Sequence, residues 1–382
     1  MPSSTSSSEN AYPAPKTAFF DPEHVERPVP AAPWRAITLA ILAASAVLTL
    51  GWEFYWRGKE MSAGDFKNTP ALWAEQRRKA TGDASVIIGS SRALFDVDLD
   101  IWEEIAGERP VQLALEGTSP RIFLKDLAED ENFRGVLIVS VTPILFFTQE
   151  GGLREEVIAY TRDETPSQRV DHLMSVQLEK IFAFIDEQTR PKRQMTLAPL
   201  PLRAGMAPRF DPRKLQRLDR DRNGEMWRRV VDDEAYRKEA RDQWLIAFKL
   251  FAPPPGPNGE PPPPMPDAAI DAIIAGVKTN VDAIRARGGD VVFIQPPAAG
   301  PFLEVERNGF PRERFWDRLL EKTASGGVNF LDRPEMMNYD LPEWSHLSPA
   351  ESKRYSRALV PLVEDALERA SAARANAETP AR

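Results

Sequence analysis

The chain contains no cysteine and only three histidines, His24, His172 and His346, in 382 residues. Without cysteine there is no disulfide framework, no thiolate metal site and no thiol nucleophile, although the compartment stays open. His172 falls in an amphipathic helical pattern and His24 in a Ser- and Pro-rich tail, and neither has partners at metal-ligand spacing, so no metal or other cofactor is expected. An excess of positive charge is also missing. The net charge is -8, and basic clusters such as "RRK" at 77–79 are closely followed by acids, which argues against nucleic acid as a partner. Apolar residues make up 42% of the chain, enough for a large folded core.

Long apolar runs are scarce, with one exception. Residues 1–33 read as a disordered tail, and "WRAITLAILAASAVLTLGWEFYW" follows, uncharged from Ala36 to Trp52 and flanked by aromatic residues. The stretch 34–56 is therefore expected to be a transmembrane helix. An acidic leader of more than 30 residues does not suit a cleaved signal peptide, so the segment is expected to remain as an anchor. Lys16, Arg27 and Arg35 before it balance Arg57, Lys59 and Lys67 after it, and charge leaves the orientation undecided.

Thr69 and Pro70 fit the cap and first residue of a juxtamembrane helix within a 57–80 linker. Beyond it, apolar runs at 84–89, 111–115, 135–141, 290–295 and 328–332 alternate with helical patterns. Such runs predict strands buried on both faces, hence an α/β doubly wound parallel sheet. Between the third and fourth runs, residues 150–286 exceed any ordinary crossover and are expected to form an insertion lying over the sheet edge, with an irregular Pro-rich loop at 252–266. Residues 366–382 are expected to be a second disordered tail. "DRDRNGEMWRRV" at 219–230 resembles a calcium loop, but its twelfth position is Val230, so it reads as an Asn-Gly turn.

Two short stretches carry chemistry. "VIIGSSRALF" ends a predicted strand in Gly89, Ser90 and Ser91, at the edge where open α/β folds bind ligands. A plain turn, a helix cap, a small anion nest and a nucleophile all fit it. In "EWSHLSPAE", Ser348, Pro349 and Glu351 start a helix, leaving His346 in the loop before it and Glu343 three residues upstream. A carboxylate on one imidazole nitrogen, with the other facing a hydroxyl, is what a serine nucleophile needs.

Taken together, these stretches resemble the SGNH, or GDSL-type, hydrolase superfamily over residues 81–365, apart from the insertion. The resemblance implies a flavodoxin-like α/β/α sandwich, with Ser91 as nucleophile, His346 as base and Glu343, in place of the family's aspartate, orienting it. It also implies an oxyanion site from the N–H groups of Ser91 and Gly117, the latter in "ALEGTSP". The third block normally supplies an asparagine, which "VSVTPILFF" lacks, and Thr142 is a weak candidate to replace it. The "GSSR" form with an N-terminal anchor is similar to a membrane-tethered branch that works with membrane-bound O-acyltransferases on cell-envelope polymers. That implies a single-pass protein of a bacterial inner membrane with a periplasmic domain, acting on an acylated glycan or small ester, or serving as a non-catalytic scaffold for such a transferase.

Overall fold

A computed structural model describes residues 32–151, 154, 156–197, 212–252, 260 and 263–378. Residues 1–31 of the expected N-terminal tail and most of the 252–266 loop lie outside the described residues. Two compact units meet between Trp52 and Glu53. In the first, the described chain enters the 24-residue helix Trp34–Arg57, which is long and apolar enough to cross a membrane, an 18-residue window of it having a mean hydropathy of 1.7. Leu39, Ile41, Leu42, Val47 and Leu48 are all exposed along it. Its last turn belongs to the second unit, where Glu53 and Trp56 are buried, so Trp56 is a core residue and not the interfacial aromatic its sequence position suggests.

The second unit is built on five parallel strands, β1 (Val86–Ile88), β2 (Val111–Gln112), β3 (Val136–Ser140), β6 (Asp290–Gln295) and β7 (Gly326–Asn329), in the order β2-β1-β3-β6-β7. All five strands fall within or overlap the apolar runs. Their side chains alternate between faces, as the two-residue period of a strand requires. Ile87, Ile138, Val292 and Val328 pack on one face with the helices Ser91–Asp96, Leu99–Ala106 and Pro349–Glu378. Val86, Leu137, Val139 and Phe293 pack on the other with Arg121–Glu129, Asp267–Arg285 and Trp316–Thr323. Phe315, Trp316 and Leu319 of the stretch 313–320 are buried there. Thr69 caps the helix Pro70–Arg77, accepting from Leu72 N–H at 3.2 Å.

Three expectations require correction. The fifth strand ends at Asn329, and Phe330–Asp332 form a 3-10 turn because the Asn329 side chain accepts from Leu331 N–H at 3.0 Å. The C-terminal helix runs from Pro349 through to Glu378, so 366–378 is helix and not a disordered tail; the stretch is rich in alanine, arginine and glutamate, which are strong helix formers. The insertion stops before Asp267, since Ile270, Ile274, Val277, Val281 and Ile284 of the next helix form a buried stripe against the sheet. Within the insertion, β4 (Gln216–Leu218) and β5 (Gly224–Met226) make an antiparallel hairpin, and the calcium-like stretch is its turn, closed by Asp219 N–H on Asn223 O.

Candidate active site

At the carboxyl end of β1 the chain passes through Gly89 into the helix Ser91–Asp96. A side chain at Gly89 would place its Cβ 2.7 Å from the Cβ atoms of both Ser140 and Ala93, so only glycine lets β1 end this close to β3 and the new helix. Ser90 caps that helix without a side-chain cap bond, and its hydroxyl instead pairs with that of Thr142 at 2.7 Å. Ser91 is the first helical residue, only half-buried. Its amide is one of the helix N-terminal donors that have no carbonyl to pair with inside the helix.

The other half of the site comes from residues 343–346. The imidazole Nδ1 of His346 lies 2.8 Å from Glu343 Oε1, which also accepts from His346 N–H at 2.8 Å. Glu343 and His346 are at most 1% exposed. The indole N–H of Trp244 donates to the second carboxylate oxygen. Glu343 thus receives three donors, which lock its carboxylate and fix the ring's orientation. The loop has backbone strain: Trp344 sits at φ 76°, where a bulky residue is uncommon, and its carbonyl accepts from Ala299 N–H at 2.9 Å.

These two halves touch. Phe95, one turn after Ser91 in the same helix, stacks on the His346 ring with centroids 4.2 Å apart. Asp96 Oδ1 accepts from Leu347 N–H at 2.9 Å. Burial pushes the Asp96 carboxyl well above its usual range, although this bond and the charge of Arg92 pull the other way. Arg92 forms a buried ion pair with Glu306 at 2.6 Å and makes a long contact of 3.5 Å to Ser345 Oγ. Nε2 of His346 is buried and has no hydrogen-bond partner among the described residues, and no hydrogen bond joins it to Ser91. An orphaned buried imidazole nitrogen costs free energy.

Gly117 stands in the loop after β2 at φ 64°, a conformation that favours glycine. The loop is braced from outside the sheet. Glu116 accepts from Asn68 at 2.7 Å and pairs with Arg154 at 3.2 Å, and Gln216 donates to it as well. Burial alone would raise the Glu116 carboxyl, but Arg154 and Asn68 hold it below its ordinary value. The fully buried Arg222 donates to Gln112 O at 3.1 Å and to Ala114 O, and burial lowers its guanidinium to about 9. Arg222, Arg154, Trp244 and Glu306 were not singled out from the sequence. The insertion supplies the first three, and no local motif marks them.

His172, by contrast, lies apart from this constellation and bonds Glu75 at 2.8 Å. No protein-family model matches the chain, and no curated protein matches it.

Proposed function

We propose that this chain is a membrane-anchored serine esterase or O-acyltransferase with a flavodoxin-like, SGNH-type domain. The strand order, with the second strand outside the first and the later three added on the other side, supports this reading, because flavodoxin-like sheets run 2-1-3-4-5 and bind ligands beyond the carboxyl ends of their strands. Ser90, Ser91, Gly117 and Thr142 follow those ends in this chain. One observation carries the reading: a buried Glu343–His346 pair whose second ring nitrogen has no partner, stacked on the helix that Ser91 begins.

In the reaction so assigned, Ser91 Oγ attacks the ester carbonyl and its proton passes to His346 Nε2. The carbonyl π electrons move to oxygen, where the N–H groups of Ser91 and Gly117 stabilise the charge, with the Thr142 hydroxyl as a third donor if its own proton points away from Ser90. Collapse breaks the bond to the leaving alkoxide, which takes the proton from His346, and an acyl-Ser91 remains. Water or an acceptor hydroxyl then attacks it by the same route in reverse. Glu343 keeps the Nδ1 proton in place and stabilises the imidazolium without taking that proton. Trp244 and Phe302, both half-buried and with ring centroids 5.4 Å apart, offer an aromatic wall for an acyl chain.

The helix Trp34–Arg57 would hold this domain at a bacterial inner membrane, facing the periplasm, where an acylated envelope glycan is the substrate class and a membrane-bound O-acyltransferase the partner. Incubation of the detergent-solubilised full chain with an acetylated glycan and with p-nitrophenyl acetate tests it. Acetate release or transfer that depends on Ser91 and His346 is expected, and turnover unaffected by both substitutions overturns it.

A second reading, a non-catalytic scaffold, is favoured by the absent third-block asparagine and by the Thr142 hydroxyl being engaged by Ser90. Under that reading Ser91→Ala retains full function in cells.

A further inference from the structure

The helix Pro166–Glu179 is built the wrong way round for a surface helix. Its inward residues are His172, Val176 and Glu179, two of them polar. Its outward side carries Val170, Leu173, Met174 and Leu178, joined by Ile181 in the turn that follows, each between 45% and 63% exposed. At 100° per residue these five cover an arc of about 140°, opposite the packed side. Asp171 borders the arc, and Gln177 lies within it.

The polar inward side fastens this helix to the segment that follows the apolar N-terminal helix. His172 Nε2 bonds Glu75, Glu179 O accepts from Gly64 N–H at 2.8 Å, and a Glu179 carboxylate oxygen accepts from Lys67 N–H at 3.0 Å. The turn after it is tied to the last turn of the apolar helix itself. Glu53 accepts from Ala183 N–H at 3.0 Å and Phe184 N–H at 3.1 Å, while Arg57 donates to Ile181 O at 3.2 Å. Ile181 is thus held directly to Arg57, and Lys59 and Lys180 are exposed close by in sequence.

We infer that the face formed by Val170, Leu173, Met174, Leu178 and Ile181 lies in the headgroup–acyl boundary of the bilayer that the N-terminal helix crosses. This rests on the anchor reading above. An exposed apolar arc of this width, held in place by polar bonds on its other side, is the pattern of an interfacial helix whose apolar face sinks about 5–10 Å below the headgroups. Chain connectivity fixes Glu53 within a turn of the bilayer surface, and the bonds from residues 181–184 to Glu53 and Arg57 bring the arc's end to the same level. Lys59 and Lys180, both exposed beside this end of the arc, match anionic headgroups. The result is a second contact that sets the height and tilt of the domain over its membrane.

Because the chain lacks cysteine, single labels are clean. Met174→Cys, Leu178→Cys and, as a control at an exposed position of the helix Asp267–Arg285, Lys278→Cys are labelled with bimane in the full chain. Each is then reconstituted into phosphatidylcholine–phosphatidylglycerol vesicles, with circular dichroism to confirm the fold. Blue-shifted emission at 174 and 178 that doxyl lipids quench severalfold more than at 278 is the expected result. Water-like, iodide-quenched emission at 174 and 178 in a chain that resists carbonate extraction overturns this inference and leaves the anchor standing. Protection from iodide without doxyl quenching overturns it in favour of a protein, such as a second copy, covering the face. Release of the chain by carbonate overturns the anchor reading and this inference with it.

Discussion

His346 holds its Nδ1 2.8 Å from Glu343 Oε1, and both side chains are out of contact with solvent. A carboxylate so placed dictates the tautomer, leaving Nε2 as the acceptor. Glu343→Gln keeps the shape but replaces one oxygen by an amide donor and removes the charge that stabilises an imidazolium. Acylation is expected to slow by about 10²- to 10⁴-fold, with a stability loss of about 1–3 kcal/mol because the new amide donor meets another donor, and stopped-flow kinetics with an activated ester together with chemical denaturation measures both.

Trp244 reaches Glu343 from the insertion, 99 residues away in sequence. Trp244→Phe keeps an aromatic ring and deletes one donor to the carboxylate. A hydrogen bond to a charged group contributes about 1.5–3 kcal/mol, so a rate loss of roughly tenfold or more is expected in kcat, with a smaller change in KM. A change confined to KM would make Trp244 a wall for substrate only.

Asp96 gives a pH prediction. Its folded pKa is raised by burial above the unfolded value of about 3.9. Below about pH 4 both states hold the proton and nothing is lost; as pH rises, the unfolded state releases it first, and stability falls until the folded pKa is passed. Asp96→Asn retains an oxygen for Leu347 N–H and cannot ionise. Its urea midpoint should equal wild type near pH 4 and exceed it increasingly toward pH 7, by about 1.4 kcal/mol for each pKa unit between folded and unfolded.

Gly89→Ala forces a methyl into Ser140 and Ala93, both immovable backbone-anchored Cβ atoms 2.7 Å away. A loss of about 1–3 kcal/mol in unfolding free energy is expected by chemical denaturation, together with reduced activity because Ser91 shifts with the turn.

How far these features were legible in the sequence depends on where their partners lie. The five sheet strands stood out because parallel strands buried on both faces are uniformly apolar. The fifth was displaced because it begins with Gly326 and Gly327, which give no hydropathy signal. Glycine is needed there, since a Cβ would lie 2.2 Å from Ala366 O and 2.7 Å from Leu320. Glu343 and His346 could be paired because they share one loop, and Ser91 stood out because it follows the end of a strand. Trp244, Arg222 and Glu306 belong to the same neighbourhood only through tertiary packing, and no spacing rule connects them to it. The composition of residues 366–378 suggested a tail, yet it is a good helix sequence, and a helix already nucleated at Pro349 propagates at little cost.

The central claim is that Ser91 is a nucleophile activated by His346. The full chain in detergent, treated with a fluorophosphonate and digested for mass spectrometry, tests it directly. One phosphonylated residue, Ser91, is expected, with labelling abolished in Ser91→Ala and slowed at least a hundredfold in His346→Ala. Labelling that persists in Ser91→Ala, or a correctly folded wild-type chain that never reacts, would contradict it.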